Sequence, residues 1–136
     1  MADKVMELEI MCPDRSFYKG NVAMVEFNTV EGYIGVYPEH IPLATVLATG
    51  ILTIHLEDGT TKQAALHEGF AKITQDKVMI LAEVAEWPDE IDVERANEAK
   101  QRAEERIKKG GPDINMARAE AALKRSITRI RLKDGL

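Results

Sequence analysis

The sequence predicts a mainly β chain with an α appendage: an N-terminal antiparallel β-sandwich followed by a C-terminal antiparallel two-helix hairpin. Three observations carry this reading. Up to about residue 86, short apolar stretches are broken by turn signals roughly every 8–12 residues, as in a run of short strands. No helical pattern separates those strands, so βαβ units are not expected and an antiparallel sandwich or barrel is favoured. Beyond Trp87-Pro88-Asp89-Glu90 the chemistry changes to Ala, Glu, Lys and Arg, the strongest helix formers. The expected organisation is a β domain over 1–86, a hinge over 87–90 and a helical hairpin over 91–136.

Strand candidates in the first segment are Met6-Leu8-Ile10, Ala23-Val25-Phe27 and Leu52-Ile54-Leu56, each alternating apolar residues with polar neighbours. Glu57-Asp58-Gly59-Thr60 reads as a tight hairpin, because Asp-Gly tolerates positive φ. Further turns are expected at Glu31-Gly32 and at Thr74-Gln75-Asp76-Lys77. In the second segment Asp92 is the expected N-cap of a helix reaching about Lys109. Gly110-Gly111-Pro112 stops it, and Asp113 is the expected cap of a second helix reaching about Leu132. So short a break implies antiparallel neighbours.

The apolar stripe of the hairpin is thin. Val93, Ala96, Ala99, Ala103 and Ile107 line the first helix, and Met116, Ala119, Leu123, Ile127 and Ile130 the second. A buried methylene is worth about 0.8 kcal/mol, so an alanine-rich contact holds less firmly than a leucine-rich one. Two readings stay open: a hairpin that opens or undocks at modest cost, and one that is permanently folded.

At 136 residues the chain can bury one principal core, and 45% apolar with 30% charged residues is the balance of a folded globular protein. No signal peptide or membrane span is expected, since Ile41 to Leu52 is short and interrupted by Pro42 and Gly50. One cysteine, Cys12, fits a reducing setting. The net charge of −5 is unevenly shared: residues 1–90 hold 6 Lys/Arg against 15 Asp/Glu, and residues 91–136 hold 12 against 8.

Catalytic chemistry is not indicated. His40, His55 and His67 belong to no metal-binding pair, and neither a nucleophile elbow nor a phosphate loop is present. Cys12 reads as a small packed residue. Nucleic acid is disfavoured, because the hairpin has no aromatic residue for stacking and the whole chain is acidic. One polar constellation stands out: Arg95, Arg102 and Arg106 recur at spacings of seven and four, as do Arg118, Arg125 and Arg129. Each trio lies on one helical face, and two such stripes suit a polyphosphate. Solvated faces paired with Glu94, Glu98, Glu105 and Glu120 are the alternative.

Gly32-Tyr33-Ile34-Gly35-Val36-Tyr37-Pro38-Glu39-His40-Ile41-Pro42-Leu43 resembles the pattern G-x-[I/L]-G-[I/V]-x-P-x-H-x-P-L of the epsilon subunit of bacterial F-type ATP synthases. The resemblance continues through Glu68-Gly69-Phe70-Ala71-Lys72-Ile73, Val78-Met79-Ile80-Leu81-Ala82 and Ile91-Asp92-Val93-Glu94-Arg95-Ala96. It implies a non-catalytic subunit of the central stalk, peripheral to the cytoplasmic face of the cell membrane through its complex. The β-sandwich would bind the gamma subunit and the c-subunit ring, with Glu31, Gly32, Tyr33 and His40 toward the ring. The hairpin would extend toward the alpha and beta catalytic subunits and inhibit ATP hydrolysis.

Some members carry [I/L]-D-x-x-R-A and bind ATP as a regulatory ligand in the compact form. The motif stands here as Ile91, Asp92, Arg95 and Ala96, and the other family positions fall on Glu86, Arg102, Arg125 and Arg129. By that resemblance Asp92 and Glu86 orient the adenine amino group and Arg95, while Arg125 and Arg129 take the phosphates, and magnesium is not required. Trp87 departs from the polar residue usual at its position. A stand-alone nucleotide-sensing or nucleic-acid-binding module is the alternative from another class.

Overall fold

The structure, a computed structural model, describes residues 4–135, so Met1-Ala2-Asp3 of the opening segment lies outside the described residues. The chain divides into two compact units, one ending at Glu86 and the other beginning at Trp87.

The first unit is built from β1 (Met6–Cys12), β2 (Arg15–Val22), β3 (Met24–Thr29), β4 (Gly32–Val36), β5 (Leu43–Leu47), β6 (Gly50–His55), β7 (Thr61–Ile73) and β8 (Lys77–Glu86). They pair in the order β2-β1-β8-β7-β5-β3-β4, with β6 alongside β3 and β7. The alternation seen in the sequence becomes burial: Met6, Leu8 and Ile10 point inward, as do Val25, Phe27, Leu52 and Ile54. Turns close where Asp-Gly and Glu-Gly stand, with Gly59 at φ 88° and Gly32 at φ 115°. Thr74 closes the β7–β8 turn by donating its amide to the Lys77 carbonyl at 2.8 Å.

One pairing departs from the antiparallel expectation. β1 and β8 run parallel, Glu7 opposite Lys77 through Met11 opposite Leu81. These are the first and last strands of the unit, so no tight hairpin dictates their sense. Lys77 Nζ bridges Glu7 and Glu9 at 3.1 Å each across this pair.

β7 is long enough to serve two partners in succession, pairing with β6 through Leu66 and with β5 from Gly69 onward. The interruption falls at Glu68 (φ 53°) and Gly69 (φ 135°). A Cβ at residue 69 would collide with the Leu81 carbonyl oxygen and lie 2.9 Å from the Ala82 Cα, so only glycine lets β8 approach.

The second unit opens with a 3₁₀ turn over Pro88–Glu90, closed by Glu90 N to Trp87 O at 3.0 Å and by the Glu90 carboxylate accepting the Trp87 amide at 2.9 Å. α1 (Val93–Lys109) and α2 (Met116–Asp134) follow and pack together. Asp92 caps α1 as expected, Oδ1 accepting from the amides of Glu94 and Arg95 at 3.1 and 3.2 Å. The cap of α2 is Asn115 instead of Asp113, its Oδ1 accepting from Arg118 N at 3.1 Å. Pro112 draws Gly111 to Ile114 into a turn, closed by Ile114 N to Gly111 O at 3.2 Å, and Asp113 is consumed inside it.

Candidate functional site

The hairpin carries most of the residues singled out for a nucleotide. Ala96 and Ala103 are buried on α1, as are Ala119, Ser126, Thr128 and Leu132 on α2. The buried positions of α2 are therefore smaller and more polar than the stripe read from sequence: Leu123, Ile127 and Ile130 are half-buried and Met116 is exposed. Ser126 meets its own need by donating Oγ–H to the Ala122 carbonyl at 2.9 Å. Lys133 Nζ donates to the Pro88 carbonyl at 3.0 Å, bringing the end of α2 back to the start of the unit.

At about 1.5 Å per residue, Arg95 lies roughly 21 Å along α1 from Lys109, and Arg129 roughly 20 Å along α2 from Met116. In an antiparallel hairpin they stand level, with Arg102 and Arg125 roughly 10 and 14 Å from the same ends. Asp92 and Ile91 precede the first turn of α1, at the same end as Arg95. Arg95 and Arg102 are exposed and Arg125 and Arg129 half-buried; Ile91 and Ala96 are buried and serve packing. Arg95 and Arg102 on α1 and Arg125 and Arg129 on α2 thus lie at similar levels along the hairpin.

Glu86 is the last residue of β8 and belongs to the first unit. Its Oε1 lies 2.8 Å from Nε2 of His67, which is only 1% exposed. Its neighbour Ala85 is held by Arg15 Nη2, donating to the carbonyl at 3.0 Å. Nothing in the chain around His67 singles it out: its partner is 19 positions away and comes near only through the β7–β8 register, where His67 faces Val84 and Ala65 faces Glu86.

Val30 and Glu31 form the β3–β4 turn and Gly32 opens β4, with Thr29 Oγ1 accepting the Glu31 amide at 3.1 Å. Tyr33 is 60% exposed, and its hydroxyl accepts the Ile51 amide at 3.0 Å. The ring lies over Gly50, where a Cβ would come within 2.6 Å of the Tyr33 hydroxyl. His40 lies in the segment between β4 and β5, its Nδ1 2.7 Å from the Ile41 carbonyl, next to Glu39, whose amide donates to Gln75 O at 2.9 Å. Among the described residues no hydrogen bond or ion pair joins His40 to the Glu31–Tyr33 turn.

A surface not expected from the sequence crosses four strands. Val46 pairs with Phe70, Phe70 with Leu81, and Leu81 with Met11, so these four side chains form one row on the outer face of β5, β7, β8 and β1. Val46 is 54% exposed, Phe70 52% and Met11 38%. A hollow of about 270 Å³ opens beside the row, lined by Cys12, Pro13, Gly69 and Glu83 as well. An antiparallel sheet normally turns polar residues outward, and this contiguous apolar row departs from that pattern. The available signal was apolar residues on both faces of β7, in Phe70 beside Ala71.

Among the described residues no group of His, Cys, Asp or Glu is arranged to hold a metal ion, and no helix is long and apolar enough to cross a membrane.

Two family models between them match nearly all of the chain: the β-sandwich domain of the ATP synthase delta/epsilon chain over residues 5–88, and its long α-helix domain over residues 89–134. The chain is 43% identical over 131 residues to an ATP synthase epsilon chain of Caldanaerobacter subterraneus, covering 96% of this chain and 94% of that one. It is 40% identical over 126 residues to one of Moorella thermoacetica, covering 93% and 94%. Among solved structures it is similar to a chain of the Euglena gracilis mitochondrial ATP synthase, in a structure of OSCP, F1 and the c-ring. There the TM-score is 0.82 at 26% identity, over 91% of this chain and 78% of that chain.

Proposed function

Since the chain belongs to the ATP synthase epsilon chain family, we propose that it works as a non-catalytic central-stalk subunit of an F-type ATP synthase, docked through its β domain and regulated through its hairpin. The observation that carries docking is the apolar row Val46–Phe70–Leu81–Met11. Burying it against the gamma subunit removes exposed apolar surface at about 25 cal/mol per Å². The turn at Glu31, Gly32 and Tyr33, with His40, is assigned to the c-subunit ring on the family resemblance. That assembly holds the chain at the cytoplasmic face of the membrane as a peripheral component.

The hairpin is the regulatory element. Small buried residues (Ala96, Ala103, Ala119, Ser126) hold its two helices together with little apolar area, which favours an arm that can change state. In its extended form the arm approaches the alpha and beta subunits and inhibits ATP hydrolysis. ATP is the regulatory ligand of the compact form: Arg125 and Arg129 take the phosphates, Asp92 and Glu86 orient the amino group of the base and Arg95, Arg102 belongs to the same set, and Ile91 and Ala96 pack beneath. With arginines to neutralise the phosphates, magnesium is not required. ATP would stabilise that form by mass action and release it as ATP falls.

The test pairs two measurements. Phe70→Ser in the full chain should leave folding intact and weaken capture by purified gamma subunit. Titrating the isolated chain with ATP, read by Trp87 emission and calorimetry, should give a saturable response that Asp92→Ala/Arg95→Ala abolishes. Undiminished capture of Phe70→Ser refutes the docking face, and no binding at millimolar ATP refutes the nucleotide reading.

A further inference from the structure

We propose that the docking face continues past Val46 to Val30, so that the gamma subunit covering the apolar row also covers the first residue of the β3–β4 turn and stops there; this rests on the reading that the row docks on gamma. The sheet register carries the extension. Thr29 pairs with Leu47, and one step further along, the Val30 amide donates to the Val46 carbonyl at 3.0 Å. Thr29 and Leu47 are both buried, so alternation turns Val30 and Val46 to the outer face. Val30 is 63% exposed, and with it the row lengthens to Val30–Val46–Phe70–Leu81–Met11.

The turn by itself does not account for a valine. Such positions favour Gly, Asn, Asp, Ser and Pro, each for a conformational or hydrogen-bonding reason that valine lacks. The residue is also held ready for a partner. Thr29 Oγ1 donates to the Gly32 carbonyl at 2.7 Å and accepts the Glu31 amide at 3.1 Å, closing the turn from its buried side. With the backbone fixed and χ1 restricted by β-branching, Val30 loses little freedom when it is covered. The next residue, Glu31, is exposed and acidic, and charged residues are depleted from the core of protein interfaces. The surface therefore changes from apolar to anionic within one residue, and that step marks the edge of the gamma contact. The turn offers Val30 to gamma and Glu31 to the ring, so the two contacts adjoin there.

The experiment measures the affinity of purified gamma subunit for the full chain carrying Val30→Ser, Phe70→Ser or Ile41→Ser. Ile41 is 80% exposed but lies in the β4–β5 connection, outside the row, and so controls for lost apolar exposure alone. Val30→Ser should bind gamma about tenfold more weakly. Ile41→Ser should bind like the wild type. In the wild-type chain the Val30 methyl resonances should shift when gamma is added, a readout that needs no variant to fold. Wild-type affinity in Val30→Ser, an equal loss in Ile41→Ser, or unmoved Val30 methyls would overturn the extension while a weakened Phe70→Ser leaves docking through the row standing. Wild-type affinity in Phe70→Ser would overturn the docking face and the extension with it.

Discussion

Asp92 occupies a position where one carboxylate can hold two jobs, and replacing it by asparagine and by alanine separates them. Its Oδ1 accepts from the amides of Glu94 and Arg95 at 3.1 and 3.2 Å, the geometry of a helix cap. Losing such a cap costs about 0.5–2 kcal/mol. Here the residue is exposed, so water can solvate the orphaned amides, and about 1 kcal/mol is the appropriate size for Asp92→Ala. That is roughly a fivefold rise in local opening of the first turn of α1, readable as faster hydrogen exchange at the Arg95 and Ala96 amides. The Asp92→Asn variant would keep the acceptor and lose only the charge at the positive helix end, worth about 0.3–1 kcal/mol at most. If the carboxylate also serves ATP, both variants lose ATP affinity and only Asp92→Ala loses most of its exchange protection. An Asp92→Asn chain that binds ATP like the wild type would reduce Asp92 to a cap. Unchanged exchange in Asp92→Ala would refute the cap energetics themselves.

Gly69→Ala should destabilise the β domain by at least about 1–3 kcal/mol in urea denaturation, through positive φ and the collision with Leu81; an unaltered midpoint would show that β7 reroutes freely. The Asp58 carboxyl is held below the ordinary aspartate range, first by the Thr60 hydroxyl and then by the Thr60 amide. Its contribution to stability is therefore present above the unfolded pKa and fades as pH falls through the folded one. Thr60→Val should raise the Asp58 midpoint in an NMR titration. Lys77 titrates above the ordinary lysine value because Glu7, and then Glu9, hydrogen-bond its ammonium. Its contribution is complete below the unfolded pKa and lost as pH rises through the folded one, and Glu7→Gln should lower the measured midpoint. Arg125→Ala and Arg129→Ala should each weaken ATP binding without altering capture by the gamma subunit, since neither arginine belongs to the strands that carry the apolar row; parallel losses would refute that separation.

The parts of the fold legible in the sequence are those governed by neighbours in the chain. Met6-Leu8-Ile10 could be assigned to a strand because alternation alone sorts its faces, and Asp92 to a cap because a cap acts within three residues. Asp113 misled because it resembles a cap, while Pro112 had already committed it to a turn and Asn115 took the capping role. What pairs distant segments left no such trace. Nothing local to Met6–Cys12 announces a parallel partner at Lys77–Glu86. Nothing local marks Phe70 and Val46 as neighbours, and only the register reveals that they share an outer row. For the candidate site, Arg95, Arg102, Arg125 and Arg129 were visible as periodic basic residues, but their assignment to ATP rested on family resemblance. His67 was invisible, a lone histidine whose meaning lies in a carboxylate brought near by sheet pairing.

The parallel seam between β1 and β8 also sets an order of events in the making of the chain. Residues near the start must wait for residues 77–86 before that ladder can form, a closure with a large entropic cost and hence slow. The hairpin that follows needs only contacts across a short loop, and helices of its length form in about a microsecond. On a ribosome emitting the chain from the N-terminus, the edge of β1 that β8 will cover spends most of synthesis unpaired. A nascent chain stalled before residue 77 would therefore be the aggregation-prone species, and that edge is covered only as the arm is about to emerge.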